Sequence, residues 1–137
     1  MTFYKPSGNL DEHPGYADVL SGDEHLAQLV AHLEKSPQWP HMLVAITYDE
    51  FGGIWDHAGP PKGDRWGPGS RIPALIVSPY AKHGVVDHTE YDTTSILRFI
   101  TDRWKLPVLP GIAERDKALA AHHQPRLGDL TGALVSR

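Results

Sequence analysis

The stretch MLVAITYDEFGGIWDH, residues 42–57, decides the fold of this chain. Its first seven residues form an apolar run without alternation, which is typical of a β-strand covered on both faces in an α/β layer. Two adjacent carboxylates, Asp49 and Glu50, follow the run directly, and two glycines come next. Ligands bind at the carboxyl ends of strands in open α/β sheets. The sequence therefore predicts a central strand with a ligand site at its end.

A second apolar run, residues 73–78, predicts another buried strand, which ends before Pro79. Between the two strands, residues 49–71 are rich in glycine and proline and are too long for a simple connection, so this segment is expected to carry function. No helical crossover joins the strands, and their relative direction stays open. Two strands alone make a marginal sheet. The chain is therefore expected to be a piece of a larger domain.

A helix is predicted before the first strand. Ser21 and Glu24 fit a capping box, and apolar residues recur at helical spacing after them, which predicts a helix over residues 22–35. The preceding residues 1–20 contain several proline and glycine breakers and are predicted to be irregular.

A second helix is predicted to start after Asp92, whose side chain is expected to cap it. The tail from Gly111 onward mixes charged and small residues, and it suggests only a short helix over residues 114–122. One face of the second helix carries apolar residues at helical spacing: Ile96, Leu97, Ile100 and Trp104.

Length and composition exclude several classes of protein. A chain of 137 residues suits one domain with a buried core. The net charge of -4, with 13 basic and 17 acidic residues scattered along the chain, argues against nucleic acid as a partner. The absence of cysteine excludes disulfides, thiolate metal sites and a cysteine nucleophile. Neither an apolar run long enough to span a membrane nor a signal-peptide pattern is present, so neither a membrane span nor an export signal is expected.

The adjacent carboxylates Asp49 and Glu50 are the leading candidates for a ligand site. Neighbouring carboxylates repel each other, so placing both at a sheet edge is favourable only when water, a basic partner or a cation neutralises them, and a divalent metal does this best. From the dipeptide alone, a solvated turn is the commoner explanation. Gly52 and Gly53 permit a tight turn or a close backbone approach, which favours a site.

Other residues are weaker candidates. His13 lies in the irregular lead-in, where it is either an exposed turn residue or a group that contacts phosphate and protonates a leaving oxygen. Asp56 and His57 add a carboxylate and an imidazole to the long loop. Arg71 is either a bidentate phosphate donor or an ion-paired residue of a structural loop. His88 follows an aspartate just ahead of the second helix.

Five groups of motifs occur in order over about residues 3 to 116, and together they resemble the bacterial phosphoesterase family of acid phosphatases and phospholipases C. They are Tyr4-Lys5-Pro6 with Glu12-His13-Pro14-Gly15; Tyr48-Asp49-Glu50 with Gly52-Gly53 and Trp55-Asp56-His57; residues 67–73; residues 78–82; and residues 87–97.

The resemblance implies the fold of the alkaline-phosphatase-like superfamily, an α/β sandwich whose central mixed sheet is flanked by helices. Residues 1–137 would form a single domain, the C-terminal part of the larger catalytic domain. In the family, one divalent metal ion is bound by a Glu-Asn pair, by a Ser or Thr nucleophile and by an acidic pair that matches Asp49 and Glu50. Of these, only the acidic pair has a counterpart here, since the sequence contains no Glu-Asn dipeptide.

The resemblance also implies roles for the histidines and a class of substrate. His13 would contact the phosphoryl group or assist the leaving group, while His57 and His88 would lie at the edge of the site. In the family, a metal-activated Ser or Thr attacks phosphorus and gives a covalent phosphoenzyme, which water then hydrolyses. The expected substrate is a phosphate monoester or a phospholipid-type molecule.

Two hypotheses about activity follow. In the first, the chain is a hydrolase segment that is inactive alone and that a complementing N-terminal segment or self-association completes. In the second, it is a non-catalytic remnant that binds metal or phosphate weakly. In both, residues 43–46 and 74–77 are expected to expose apolar surface. Localisation stays open, although the family is often periplasmic or secreted.

Overall fold

A computed structural model describes residues 1–135 of the chain. Helix α1 spans Val19–Glu34, strands β1 and β2 span Val44–Thr47 and Ala74–Val77, and helices α2 and α3 span Thr93–Trp104 and Pro110–Ala121. Two short 3-10 turns lie at Trp39–His41 and Thr131–Ala133. The predicted α/β class is confirmed, while the larger alkaline-phosphatase-like sandwich stays a prediction. None of the helices in the described part of the chain is long and apolar enough to cross a membrane.

The two strands pair with each other in an antiparallel direction, which the sequence left open. Val44 lies opposite Val77, and Thr47 lies opposite Ala74. The hydroxyl of Thr47 donates to the carbonyl of Pro73 at 3.0 Å and closes one end of the ladder. The described sheet has these two strands only, so the mixed sheet of the parent fold stays a prediction.

The predictions that β1 is covered on both faces and that β2 is buried are wrong for this structure. Residues of β1 alternate between half-buried and exposed, and Leu75 of β2 is 62% exposed. The cause is the lack of a covering layer. Among the described elements, β1 and β2 contact each other extensively, and no described helix packs on them to the same extent. The exposed apolar surface expected on these strands is observed at Leu75 of β2, whereas Val44 and Ile46 of β1 are half-buried.

Helix α1 starts three residues earlier than the predicted capping box placed it. Asp18, rather than Ser21, is the N-cap, and its carboxylate accepts hydrogen bonds from the Ser21 amide at 2.7 Å and the Ser21 hydroxyl at 2.8 Å. These bonds lower the pKa of Asp18 below its ordinary value, the amide bond most. A carboxylate satisfies free amides of the first turn and complements the helix dipole, so Asp18 outcompetes the hydroxyl.

Asp92 caps helix α2 as predicted. Its side chain accepts from the Thr94 amide at 2.7 Å, and the Ser95 hydroxyl completes a capping box. The apolar face of the helix is nevertheless the more exposed one, since the buried residues are Ser95, Arg98 and Thr101. Arg98 explains this orientation, because its guanidinium forms two hydrogen bonds with Asp116 of α3.

The apolar core lies around α3 and the C-terminal segment. Pro110 occupies the first turn of α3, where its missing amide costs nothing, so this helix is longer than the one suggested over residues 114–122. The segment after α3 lies beside the turn that follows β2, where the Val135 amide donates to the carbonyl of Tyr80 at 2.8 Å. The buried apolar side chains are Ala81, Ile112, Leu119, Leu127 and Leu130.

Arg115 of α3 connects this core to the long loop between the strands. Its side chain is nearly buried and donates to Asp64 at 2.7 Å and to Asp92 at 2.5 Å. The loop is therefore fixed to the start of α2 at one point along its length, which helps to position the segment that follows β1.

Candidate functional site

An open cleft of about 880 Å³ lies at the end of β1. Its walls come from three segments: the lead-in with the start of α1, residues 5–19; the end of β1 with the following loop, residues 48–57; and the turn before β2, residues 71–73. Six of the seven candidate residues named from the sequence line this cleft: His13, Asp49, Glu50, Asp56, His57 and Arg71. Folding therefore brings together residues that are far apart in the sequence.

Asp49 is neutralised by a lysine from the lead-in. The Lys5 ammonium lies 2.7 Å from a carboxylate oxygen of Asp49, and both side chains are about 70% exposed. The hydrogen bond from Lys5, aided by its charge, lowers the pKa of Asp49. Water, a basic group or a cation can neutralise the acidic pair, and in this structure a basic group, the Lys5 ammonium, pairs with Asp49.

Glu50 and His13 face each other across the cleft. One oxygen of Glu50 accepts a hydrogen bond from the Gly52 amide at 2.7 Å, and the other lies 3.6 Å from Nε2 of His13. The Nδ1 of His13 lies 2.8 Å from the carbonyl of Pro14, which accepts only when Nδ1 carries a proton. The Nε2 atom is then the one free to exchange a proton on the cleft side.

Gly52 is required where these two segments meet. Its φ is +64°, and a Cβ at this position would lie 3.0 Å from the ring of Pro14. A larger residue would therefore be strained in its backbone and would push the turn that carries His13 away. Gly52 thus serves a close backbone approach, while Gly53, with φ of +72° and open space around it, belongs to the tight turn that the Ile54 amide closes by donating to the carbonyl of Phe51.

Asp56 and Arg71 form a bidentate pair at the far side of the cleft. Nε and Nη2 of Arg71 donate to the two carboxylate oxygens of Asp56 at 2.8 and 2.7 Å. Arg71 holds the pKa of Asp56 well below its usual range, and the Ala58 amide adds to this effect. His57 is largely exposed, with Nδ1 at 3.7 Å from Asp56. Arg71 is therefore ion-paired and also lines the cleft.

His88 lies outside this arrangement. It is exposed in the segment before α2 and is not among the described residues that line the cleft.

Among the cleft residues to which the sequence assigned no role, three form hydrogen bonds that join its segments: Lys5, Glu12 and Tyr48. The Tyr48 hydroxyl donates to the carboxylate of Glu12, which is buried, and burial raises the pKa of Glu12, with Asp23 adding to the effect. All three residues belong to the quoted motifs, but their partners are 36 and 44 positions away. Local spacing gives no signal for such pairs, and only their presence within the motifs pointed to them.

Comparison with known proteins identifies the family of the chain. Residues 1–107 match the phosphoesterase family, and this range contains every residue of the cleft. The chain belongs to the phosphoesterase family. The resemblance inferred from the motifs is thereby confirmed.

Relatives of this phosphoesterase-family chain include plant and bacterial phospholipases C. It is 34% identical over 110 residues to non-specific phospholipase C6 of Arabidopsis thaliana, covering 63% of this chain and 21% of the relative. It is 27% identical over 154 residues to non-hemolytic phospholipase C of Pseudomonas aeruginosa, covering 89% and 21%. It is 29% identical over 140 residues to phospholipase C B of Mycobacterium tuberculosis, covering 85% and 27%. The chain thus spans about a fifth to a quarter of these relatives.

The side chains of this phosphoesterase-family chain do not by themselves fit a complete metal site. A catalytic zinc ion takes about three protein ligands and a water, and calcium or magnesium takes about six or more oxygens, some of them from water. Within residues 1–135, no three His, Asp or Glu side chains converge in a way that could hold a metal ion. Asp49 instead pairs with Lys5, and Glu50 accepts from a backbone amide. The predicted divalent metal stays a prediction.

Proposed function

We propose that the cleft is part of a site that hydrolyses phosphate esters, with phospholipid-type substrates of the phospholipase C class. The observation that carries the proposal is that the three segments matched by the phosphoesterase family meet in one cleft, which is lined by one arginine, one lysine and two histidines. These are the side chains that recognise phosphate and transfer protons to and from its oxygens. The relatives named as phospholipases C support the class of substrate.

In this proposal three cleft residues, Arg71, Lys5 and His13, have roles that their surroundings suit. Arg71 is held rigidly by Asp56 and contacts a phosphate oxygen with the remaining part of its guanidinium. Lys5 adds a second positive charge at the end of β1. His13, with its Nδ1 occupied by a carbonyl, uses Nε2 to contact the phosphoryl group or to protonate the leaving oxygen.

The proposal places the nucleophile outside the described residues. No serine, threonine or cysteine is among the described residues that line the cleft. We therefore propose that Asp49 and Glu50 complete a metal site only together with donors that this stretch of chain does not supply, from a complementing segment or a second copy. The parent fold in this proposal is the alkaline-phosphatase-like sandwich, with this domain as its C-terminal part.

A second function, phosphate binding without catalysis, is favoured by one observation. The charges that would serve catalysis are already paired within the chain, Lys5 with Asp49 and Arg71 with Asp56. Such a module would bind phosphate weakly and turn nothing over.

Hydrolysis assays on the purified chain distinguish the two functions. The substrates are p-nitrophenyl phosphate and p-nitrophenyl phosphorylcholine, each with and without added Mn²⁺, Ca²⁺ or Zn²⁺, and in the presence or absence of a fragment corresponding to the N-terminal part of a relative. The proposal expects turnover that depends on the added fragment and is lost in the His13→Ala variant. The matched control is His88→Ala, which removes an exposed histidine outside the cleft. Equal loss in both variants, or no turnover under any condition, would contradict catalysis by this cleft.

A further inference from the structure

Glu12 occupies an unusual place next to His13. Its side chain is 9% exposed, although carboxylates are rarely buried without a partner. Its φ is +61°, in the left-handed region that non-glycine residues seldom adopt. Residues held in such conformations cluster at functional sites, where the surrounding structure maintains them. The burial and the backbone conformation of Glu12 therefore require contacts that hold its side chain inward.

One hydrogen bond and one space in α1 allow Glu12 to take this position. The Tyr48 hydroxyl donates a hydrogen bond to its carboxylate, and Gly22 of α1 leaves room for its side chain. A Cβ on Gly22 would lie 2.2 Å from Cγ of Glu12, a distance that no real contact allows. The side chain of Glu12 is thus enclosed between α1 and the end of β1.

This enclosure joins the two segments that carry the candidate catalytic and metal-binding residues. Glu12 directly precedes His13, and Tyr48 directly precedes Asp49 and Glu50. The bond between Glu12 and Tyr48 therefore fixes the distance between the turn of His13 and the end of β1, where Nε2 of His13 lies 3.6 Å from Glu50.

We propose that Glu12 is a positioning residue, which through its contact with Tyr48 holds the imidazole of His13 against Glu50 at the cleft. The proposal rests on the proposed function in one respect, namely that His13 in this position recognises phosphate. A positioning role differs from a general role in stability, because it depends on an acceptor oxygen at residue 12 and a donor hydroxyl at residue 48. It does not depend on the charge of the carboxylate.

The first measurement follows the position of His13 directly in the 137-residue chain. Nuclear Overhauser effects between the imidazole of His13 and the side chain of Glu50 are expected in the wild type and in Glu12→Gln, whose amide oxygen still accepts from Tyr48. They are expected to be lost in Glu12→Ala and in Tyr48→Phe. Tyr80→Phe is the control, because Tyr80 donates at 2.7 Å to the carbonyl of Pro40, outside the cleft.

The second measurement is the dissociation constant for inorganic phosphate. Glu12→Ala and Tyr48→Phe are each expected to raise it about fivefold, the factor that corresponds to one ordinary hydrogen bond, and Glu12→Gln is expected to stay within about twofold of the wild type. The double variant is expected to be no weaker than the single ones, because both changes remove the same bond.

Gly22→Ala is an independent test that leaves both partners intact. Alanine is the better helix former, so α1 is expected to keep or increase its helicity, while the displaced Glu12 releases His13. Circular dichroism checks that each variant is folded, and Tyr48→Phe decides the matter if Glu12→Ala unfolds.

The outcomes are separable. Additive effects in the double variant, or an unchanged His13–Glu50 proximity in Tyr48→Phe and Gly22→Ala, would overturn the positioning role. A wild-type chain that binds no phosphate would overturn the proposed function, and the nuclear Overhauser effects would still decide whether Glu12 positions His13.

Discussion

The two halves of the molecule are built on different principles. Every buried apolar side chain of the described chain lies in the helical half, residues 78–135. In the cleft half, residues 1–77, the one buried side chain among the described residues is that of Glu12, a carboxylate. Hydrogen bonds and ion pairs hold the cleft half together, whereas apolar burial and buried arginines hold the helical half. Stability and the candidate site are therefore separated along the chain.

The separation explains why the site residues can be exposed and still be ordered. Exposed ion pairs contribute little free energy, so they set geometry without deciding whether the chain folds. The hydrogen bond from Arg115 to Asp64 joins the two halves, because it attaches the loop between β1 and β2 to helix α3.

The largest effect is expected from a truncation in the helical half. Leu119 is 1% exposed, so Leu119→Ala removes buried methyl groups and leaves a cavity. We expect a loss of about 3 kcal/mol in the free energy of unfolding, measured by urea denaturation. Leu75→Ala is the matched control, because Leu75 is exposed in the cleft half and should cost far less. Similar losses in the two variants would break the comparison between the halves.

A smaller effect is expected where the halves connect. Arg115→Met keeps the apolar part of the side chain but leaves Asp64 and Asp92 without their partner, and we expect a loss of about 2 kcal/mol. Arg115→Lys, which restores the charge but not the forked geometry, should recover only part of the loss.

Arg115→Met is also expected to change how the free energy of unfolding depends on pH. The hydrogen bond from Arg115 lowers the pKa of Asp64 in the folded state. The stability that this adds is present above the unfolded pKa of an aspartate, about 4, and is lost as the pH falls through the lowered folded value. Urea midpoints measured from pH 6 down to pH 2 should fall less steeply for Arg115→Met than for the wild type. Parallel curves would contradict the assignment.

In the cleft half, Arg71→Ala should change binding more than stability. The pair with Asp56 is largely exposed on the arginine side, so we expect no measurable shift of the urea midpoint. Phosphate binding should weaken about tenfold, because a bidentate donor to the anion is lost. Arg65→Ala is the control, since it removes an arginine that stacks on Trp66 and does not line the cleft among the described residues.

The smallest effect is expected from Lys5→Met. Both partners of the Lys5–Asp49 pair are exposed, so the urea midpoint should stay unchanged and the wild-type pair should weaken with added salt. Without Lys5 the pKa of Asp49 should rise toward its ordinary value, which carbonyl chemical shifts measured against pH would report. An unchanged Asp49 titration would show that the pair does not form.

The sequence predicted those features that depend on neighbouring residues. The two strands and the capping aspartate Asp92 follow from local patterns, and the structure has them close to the predicted positions. A cleft lies at the end of β1, where a ligand site is predicted, and the ligand site itself stays a prediction. The cap of α1 was misplaced because Asp18 and Ser21 are both good cap residues three positions apart, and spacing alone does not rank them.

Features that depend on contacts between residues far apart in the sequence could not be predicted from it. The bonds of Lys5 with Asp49 and of Tyr48 with Glu12 join positions far apart in the chain, and no periodicity marks them. The exposure of Leu75 could be inferred only from the number of strands, since its apolar neighbours indicated a buried strand. The orientation of α2 depends on the pair of Arg98 with Asp116, which is likewise a tertiary contact.

The most direct test of the central claim is a titration of the 15N-labelled chain with phosphorylcholine, followed by amide chemical shifts. The account predicts saturable shifts that are confined to the cleft half, largest at His13, Gly52 and Arg71, and that disappear in the Arg71→Ala variant. Shifts spread over α3, or no shift at millimolar ligand, would contradict a phosphate-ester site in this cleft.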